Sequence, residues 1–180
     1  MKHYTRSLTL FLFISFSFAQ TQLGSDIDGE AGGDESGYSV SINSAGNRVA
    51  IGGPYNDGTG ANAGHVRVYE YSNSSWTQLG SDIDGEAAGD QSGYSVSMNS
   101  AGDRVAIGAN HNDGTGSSAG HVRVYEYSDS SWTQLGSDID GEATGDNSGY
   151  SISMNSAGDR VAIGASVNDG TGSSAGHVRV

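Results

Sequence analysis

The ten residues Thr21-Gln22-Leu23-Gly24-Ser25-Asp26-Ile27-Asp28-Gly29-Glu30 return unchanged from Thr77 and again from Thr133, a period of 56 residues. A chain made of such copies folds as a row of like units, each burying its apolar faces against its neighbours. Residues 21–76 and 77–132 differ at ten positions, and 77–124 and 133–180 at five. Sameness at that level follows from duplication alone, so identity between copies nominates no functional residue. The differences say more. Pro54-Tyr55 becomes Asn110-His111 and then Ser166-Val167, a variation in size and polarity expected of an exposed loop.

Each period carries four short patterns of strand type between turn clusters, and no helical pattern. The first is Tyr38-Ser39-Val40-Ser41-Ile42, with Tyr, Val and Ile on one face and the serines on the other. A polar turn, residues 43–47, leads to Arg48-Val49-Ala50-Ile51-Gly52, where small residues beside branched ones suit a strand covered on both faces. A Gly- and Asn-rich loop over 54–64 precedes the third pattern, His65 to Tyr71. The turn 72–75 leads into the fourth, Trp76 to Gly80, and an acidic loop over 81–92 returns the chain to the next copy. The same reading makes Gln20 to Gly24 a fourth strand and Val180 part of a third.

Charge narrows the function classes. Residues 20–180 carry 21 acids against six Arg, a formal charge of −15 with His neutral. Such a surface repels phosphate backbones and anionic lipid, which argues against nucleic-acid partners and peripheral membrane attachment and favours cations. With no Cys, disulfide scaffolds, thiolate metal sites and cysteine nucleophiles are excluded. Residues 1–19 read as a secretory signal peptide. Lys2, His3 and Arg6 make a basic start, Leu8 to Phe18 is apolar apart from Thr9, Ser15 and Ser17, and Ser17-Phe18-Ala19 forms a small-residue cleavage site before Gln20. The expected product is exported, secreted or at the cell surface, without membrane insertion after cleavage.

Four antiparallel strands per unit, repeated head to tail, describe the blade of a β-propeller. Gly37-Tyr38-Ser39-Val40-Ser41 followed by Arg48-Val49-Ala50-Ile51-Gly52-Gly53-Pro54 resembles the FG-GAP repeat of integrin-α-like propellers, and the phrase from the Trp to the Val-Arg-Val-Tyr strand resembles the bacterial branch found in exported surface proteins. The resemblance spans residues 21–180 and departs from the family at two points. Ser36 stands before Gly37-Tyr38 where the family often has Phe, and the family's calcium loop between first and second strands is here a five-residue turn. The fold class expected is all-β, a propeller of four-stranded antiparallel blades. Copies begin at 21, 77 and 133, the last incomplete, so the propeller itself is expected to be incomplete. A three-bladed ring, or self-assembly of two chains into a six-bladed one, is the alternative.

In such a blade the loops 54–64 and 81–92 leave the sheet at the same end, which gathers 16 of the 21 acids there, with His65, His121 and His177 at the strand starts. The spacing Asp26-x-Asp28-x-Glu30-x-Gly32-x-Asp34 places oxygen donors at positions 1, 3, 5 and 9 of a linear calcium loop. Asp82, Asp84, Glu86 and Asp90 repeat the set in the second copy, and Asp138, Asp140, Glu142 and Asp146 in the third. Calcium is the cofactor this spacing points to. Glycine at position 4 and at position 12 departs from that pattern. The alternative is a solvated acidic loop in which Asp34 or Asp26 binds turn amides. The histidines are read as loop-edge hydrogen-bonders, and Trp76 and Trp132 as packing anchors.

No catalytic residue is expected, because near-identical copies give paired carboxylates like environments, whereas acid and base roles need unlike ones. The function expected is a non-enzymatic adhesion or interaction module presenting an acidic face to a protein or glycan partner. The alternative is the propeller portion of a secreted carbohydrate-active hydrolase.

Overall fold

A computed structural model describes residues 21–180, and the signal-peptide reading of residues 1–19 lies outside them. The described chain is all-β, made of antiparallel sheets with no helix. The first sheet holds β1 (Ser39–Ile42), β2 (Arg48–Gly53), β3 (His65–Ser72) and β4 (Ser75–Gln78) in chain order, with β5 (Ile83–Asp84) also on β3. The second repeats it with β6 (Ser95–Met98), β7 (Arg104–Ala109), β8 (His121–Ser128), β9 (Ser131–Gln134) and β10 (Ile139–Asp140). The third has β11 (Ser148–Met154), β12 (Val161–Ala165) and β13 (His177–Arg179).

Register decides which residues share a face. Val40 pairs with Ile51 and Ile42 with Val49, while Ser41 pairs with Ala50, and Gly52 with both Ser39 and Val66. Each sheet therefore has a face of larger branched residues and a face of Ser, Gly, Ala and Val. The small-residue face of the first sheet, with Ala50, Val66 and Val68, packs on Met98, Val105 and Ile107 of the second. Ala106 and Val122 of the second pack in turn on Met154 and Ile163 of the third. The core thus lies between sheets, as a face-to-face stack of like units requires.

The serines of the first strand take part in that packing. Ser39 Oγ donates to Gly93 O (2.7 Å) and Ser41 Oγ accepts from Met98 N (3.0 Å). Ser95 Oγ donates to Gly149 O (2.6 Å), and Ser97 Oγ accepts from Met154 N (2.9 Å). These hydroxyls satisfy backbone groups in or just before the next unit's first strand, which has no further strand beside it in its own sheet. Trp132 Nε1 likewise donates to Leu79 O (2.7 Å), and Trp76 Nε1 to Leu23 O (2.8 Å), which ties each unit to the segment leading into it.

The turns follow from their residues. Asn99 Oδ1 accepts from the amides of Gly102 (3.0 Å) and Arg104 (3.0 Å), and Asn43 and Asn155 bind their own turn amides in the same manner. Asn73 and Ser74 have φ of 50° and 66°, the left-handed pair by which a two-residue hairpin matches the strand twist.

Three sequence expectations need correction. The fourth strand ends at Gln78, not Gly80: the chain turns away and rejoins β3 as β5, inside what reads as a plain acidic loop. β3 has eight residues and β4 four, so the start of β3 has an open side that Ile83 and Asp84 fill. Residues 21–24 form no strand, whereas β4 and β9, the fourth strands of the two complete units, each pair with the third strand of their own unit. Finally, the variable pair after β2 is exposed only in part, at His111, Ser166 and Val167. Pro54 and Asn110 are fully buried, and the Asn110 carbonyl accepts from Asn147 Nδ2 (3.2 Å).

Candidate functional site

Pairing of Ser39 with Gly52, Gly53 with His65, and His65 with Asp84 brings the start of β1, the end of β2, the start of β3 and β5 to one end of the first sheet. The acidic loops and the 54–64 loop and its counterparts leave the sheets there, as the alternation of strands implies. The four acids spaced as a calcium loop take four separate positions. Asp26 Oδ1 accepts from Gln22 Nε2 (2.7 Å), and Asp82 and Asp138 from Gln78 and Gln134 (2.5 and 2.6 Å). Asp28 and Asp84 offer backbone carbonyls to Arg67 and Arg123 (each 2.8 Å), and Asp140 does the same for Arg179.

The fourth acid is buried. Asp34 Oδ2 accepts from Ala31 N (3.2 Å) and Asn56 Nδ2 (3.0 Å), pinning the acidic loop to the loop after β2. Asp90 does this with Ala87 and Asn112, and Asp146 with Ala143 and Asn168. Binding turn amides is the role the solvated-loop reading assigns to Asp34.

The third acid joins a different group. Glu30, His65 and Asp82 bring one ligand atom each to within 4.8 Å of the others, as do Glu86, His121 and Asp138. Each group takes Glu from the acidic loop before the sheet, His from the first position of the third strand, and Asp from the acidic loop after it. His65 and His121 are each 1% exposed. Nδ1 of His65 lies 3.8 Å from Glu30 Oε2 and 3.6 Å from Asp82 Oδ2, and Nδ1 of His121 lies 3.9 and 3.6 Å from Glu86 and Asp138. These separations are too long for hydrogen bonds, and both Nδ1 atoms lack partners.

Burial first, and then the Arg123 charge, lower the His121 pKa against the opposing pull of Asp138 and Glu86. At neutral pH the ring is uncharged, so its approach to two carboxylates is not an ion pair. For His65 and His121 the reading as loop-edge hydrogen-bonders is corrected here, since these rings are buried with their Nδ1 atoms unpartnered. In the third copy His177 is part-exposed and meets Glu142 at 3.5 Å.

Aromatic residues share this end. Tyr38, Tyr94 and Tyr150, one at the start of each unit's first strand pattern, form a row with ring centroids 5.0 and 5.3 Å apart. Tyr55 meets Tyr38 edge-on at 6.3 Å. Tyr38 and Tyr150 are 45% and 47% exposed, so the row is open to solvent. Interaction with the Tyr38 hydroxyl, then burial, then Tyr150 raise the Tyr94 pKa far above its ordinary value, which keeps the phenol protonated. The repeat implies that successive units stack, but nothing in the sequence shows that the Tyr38, Tyr94 and Tyr150 rings meet in a row.

Compared with protein-family models and curated proteins, the chain matches neither a family model nor a curated sequence. The metal loop that the FG-GAP resemblance implies between first and second strands does not fit the residues present. Residues 43–47 contain no carboxylate in the first copy, and Asn43 Oδ1 is committed to the amides of Asn47 and Arg48 (each 3.0 Å).

Proposed function

We propose that this chain is an exported, non-enzymatic interaction module of the FG-GAP-like propeller type, whose acidic end binds a protein or glycan at or beyond the cell surface. The observation that carries the reading is the open row of Tyr38, Tyr94 and Tyr150 set among acidic loops. Aromatic faces in a row suit the apolar faces of sugar rings or the side chains of a protein, and the surrounding carboxylates supply acceptors and repel polyanions. Like copies give like environments to their carboxylates, which supports a binding role over acid and base catalysis.

The propeller reading draws support from the small-residue face of each sheet covering the branched face of the next. On the first sheet Val40 and Ile42 are 64% and 59% exposed, whereas Met98, the counterpart of Ile42, is 7% exposed. We propose that another unit of this repeat covers that face, contributed by a second copy when the chain is alone in solution.

The binding reading is tested by presenting the full chain to immobilised polysaccharides and to surface proteins. Specific retention is expected, with loss of at least tenfold in affinity for Tyr38→Ala combined with Tyr150→Ala, both part-exposed and removable without opening a core. Release of new reducing ends from a retained polysaccharide would favour the hydrolase reading instead.

A further inference from the structure

We infer that Glu30, His65 and Asp82, and again Glu86, His121 and Asp138, form two divalent transition-metal sites of the zinc class, each joining the acidic loops on either side of a sheet. The argument begins with the histidines. A buried imidazole normally finds a partner for each nitrogen that it cannot show to water. His65 has none for either nitrogen, and His121 none for Nδ1. In both, Nδ1 faces two carboxylates that lie beyond hydrogen-bonding distance. A metal ion accounts for the Nδ1 position in both rings, because it bonds the Nδ1 lone pair and both oxygens from a point between them.

The dimensions agree. Bonds of about 2.0 to 2.1 Å place the ligand atoms of a tetrahedral zinc roughly 3.3 Å apart, so approaches of 3.6–3.9 Å close with shifts of about half an ångström. The carboxylates move easily, since Glu30 is 45% exposed and Asp82 27%. Two carboxylates neutralise the dication, and the fourth position opens toward solvent beside the exposed Glu, as in zinc sites with three protein ligands.

An outer shell is present as well. The second oxygen of Glu30 lies 3.6 Å from Arg67 Nη1, and that of Glu86 lies 3.4 Å from Arg123 Nη1. Each arginine is itself held by a carbonyl of the same acidic loop, Asp28 O or Asp84 O. One carboxylate oxygen is thus left to the metal and the other oriented by a fixed cation, the usual division of labour around a bound ion. A nitrogen donor selects zinc-like ions over calcium and magnesium, which take oxygen ligands. Among the described residues the third copy offers only Glu142 to His177, so two complete sites are inferred there.

The test is calorimetric titration of the chelator-treated full chain with zinc, repeated with cobalt for its visible spectrum. Two equivalents of zinc are expected to bind, and cobalt is expected to give the intense bands of a tetrahedral site. Asp82→Asn combined with Asp138→Asn alters two part-exposed side chains, so the sheets should survive, as circular dichroism would verify. This variant should weaken zinc at least tenfold and abolish the cobalt bands, while His111→Ala, at an exposed histidine outside both groups, should change neither. Retention of two tight equivalents in the Asp variant, equal binding of magnesium, or the absence of tetrahedral cobalt bands would overturn the inference.

Discussion

Gly108→Ala is expected to destabilise the protein by about 3 kcal/mol, near the upper end of what overpacking costs, and to lower its melting temperature by roughly 6 to 12 °C. Gly108 sits on β7, where its Cα is pressed against Gly149 of the next unit. A Cβ added there would run into the Gly149 carbonyl oxygen and Ser95 Oγ. One obstacle is backbone, and the other is fixed by its hydrogen bond to that same carbonyl (2.6 Å). Neither can yield without separating the second and third sheets. Gly164, the same residue one repeat later, would meet only Ser151. Gly164→Ala should therefore cost about 1 kcal/mol or less, since a single flexible hydroxyl can turn aside. Urea or thermal unfolding of the two variants checks the contrast, and equal effects would mean that the units do not stack as described.

The full chain is also expected to associate with itself head to tail, with a sedimentation mass that rises with concentration. Val40 and Ile42 on the first sheet are exposed, and so is Val178 on the third. The first pair belongs to the branched face and Val178 to the opposite one, and those two faces already meet between the sheets. A contact of this kind joins unlike surfaces, so it closes into a ring if the rotation per unit allows and extends otherwise. Ile42→Asp places a charge in the centre of the contact and should return the protein to a monomer. Ser100→Asp, at an exposed turn position away from both faces, should not. A wild-type chain that stays monomeric across the concentration range would count against a like unit as the occupant of the face.

Much of the fold was legible because duplication removes ambiguity. The alternation Val40-Ser41-Ile42 names the two faces of a strand, and three copies give the same answer each time. The gathering of the acids at one end follows from strand count alone. What stayed hidden depends on register between segments far apart in the chain. Nothing local in Ile83-Asp84 shows that β3 has an open side for it, yet that pairing is what brings Asp82 toward His65. The spacing of Asp26, Asp28, Glu30 and Asp34 suggested one shared ligand set, because spacing treats a loop as if it wrapped a single point. In the structure each acid faces a different partner: a Gln, an Arg through the backbone, a His, and a buried Asn. Burial of His65 and His121 was equally illegible, since it comes from the acidic loops that fold over the starts of β3 and β8.

Nuclear Overhauser spectroscopy on the full chain with labelled tyrosines tests the central claim most directly, because the Tyr row depends on unit-on-unit stacking and also carries the proposed binding surface. Ring centroids 5.0 and 5.3 Å apart predict cross-peaks from the Tyr94 ring to both Tyr38 and Tyr150, and none directly between Tyr38 and Tyr150. Tyr94→Leu should remove both cross-peaks while leaving the strand signals in place. A Tyr94 ring with no contact to either neighbour would contradict the stacked array and the surface built on it.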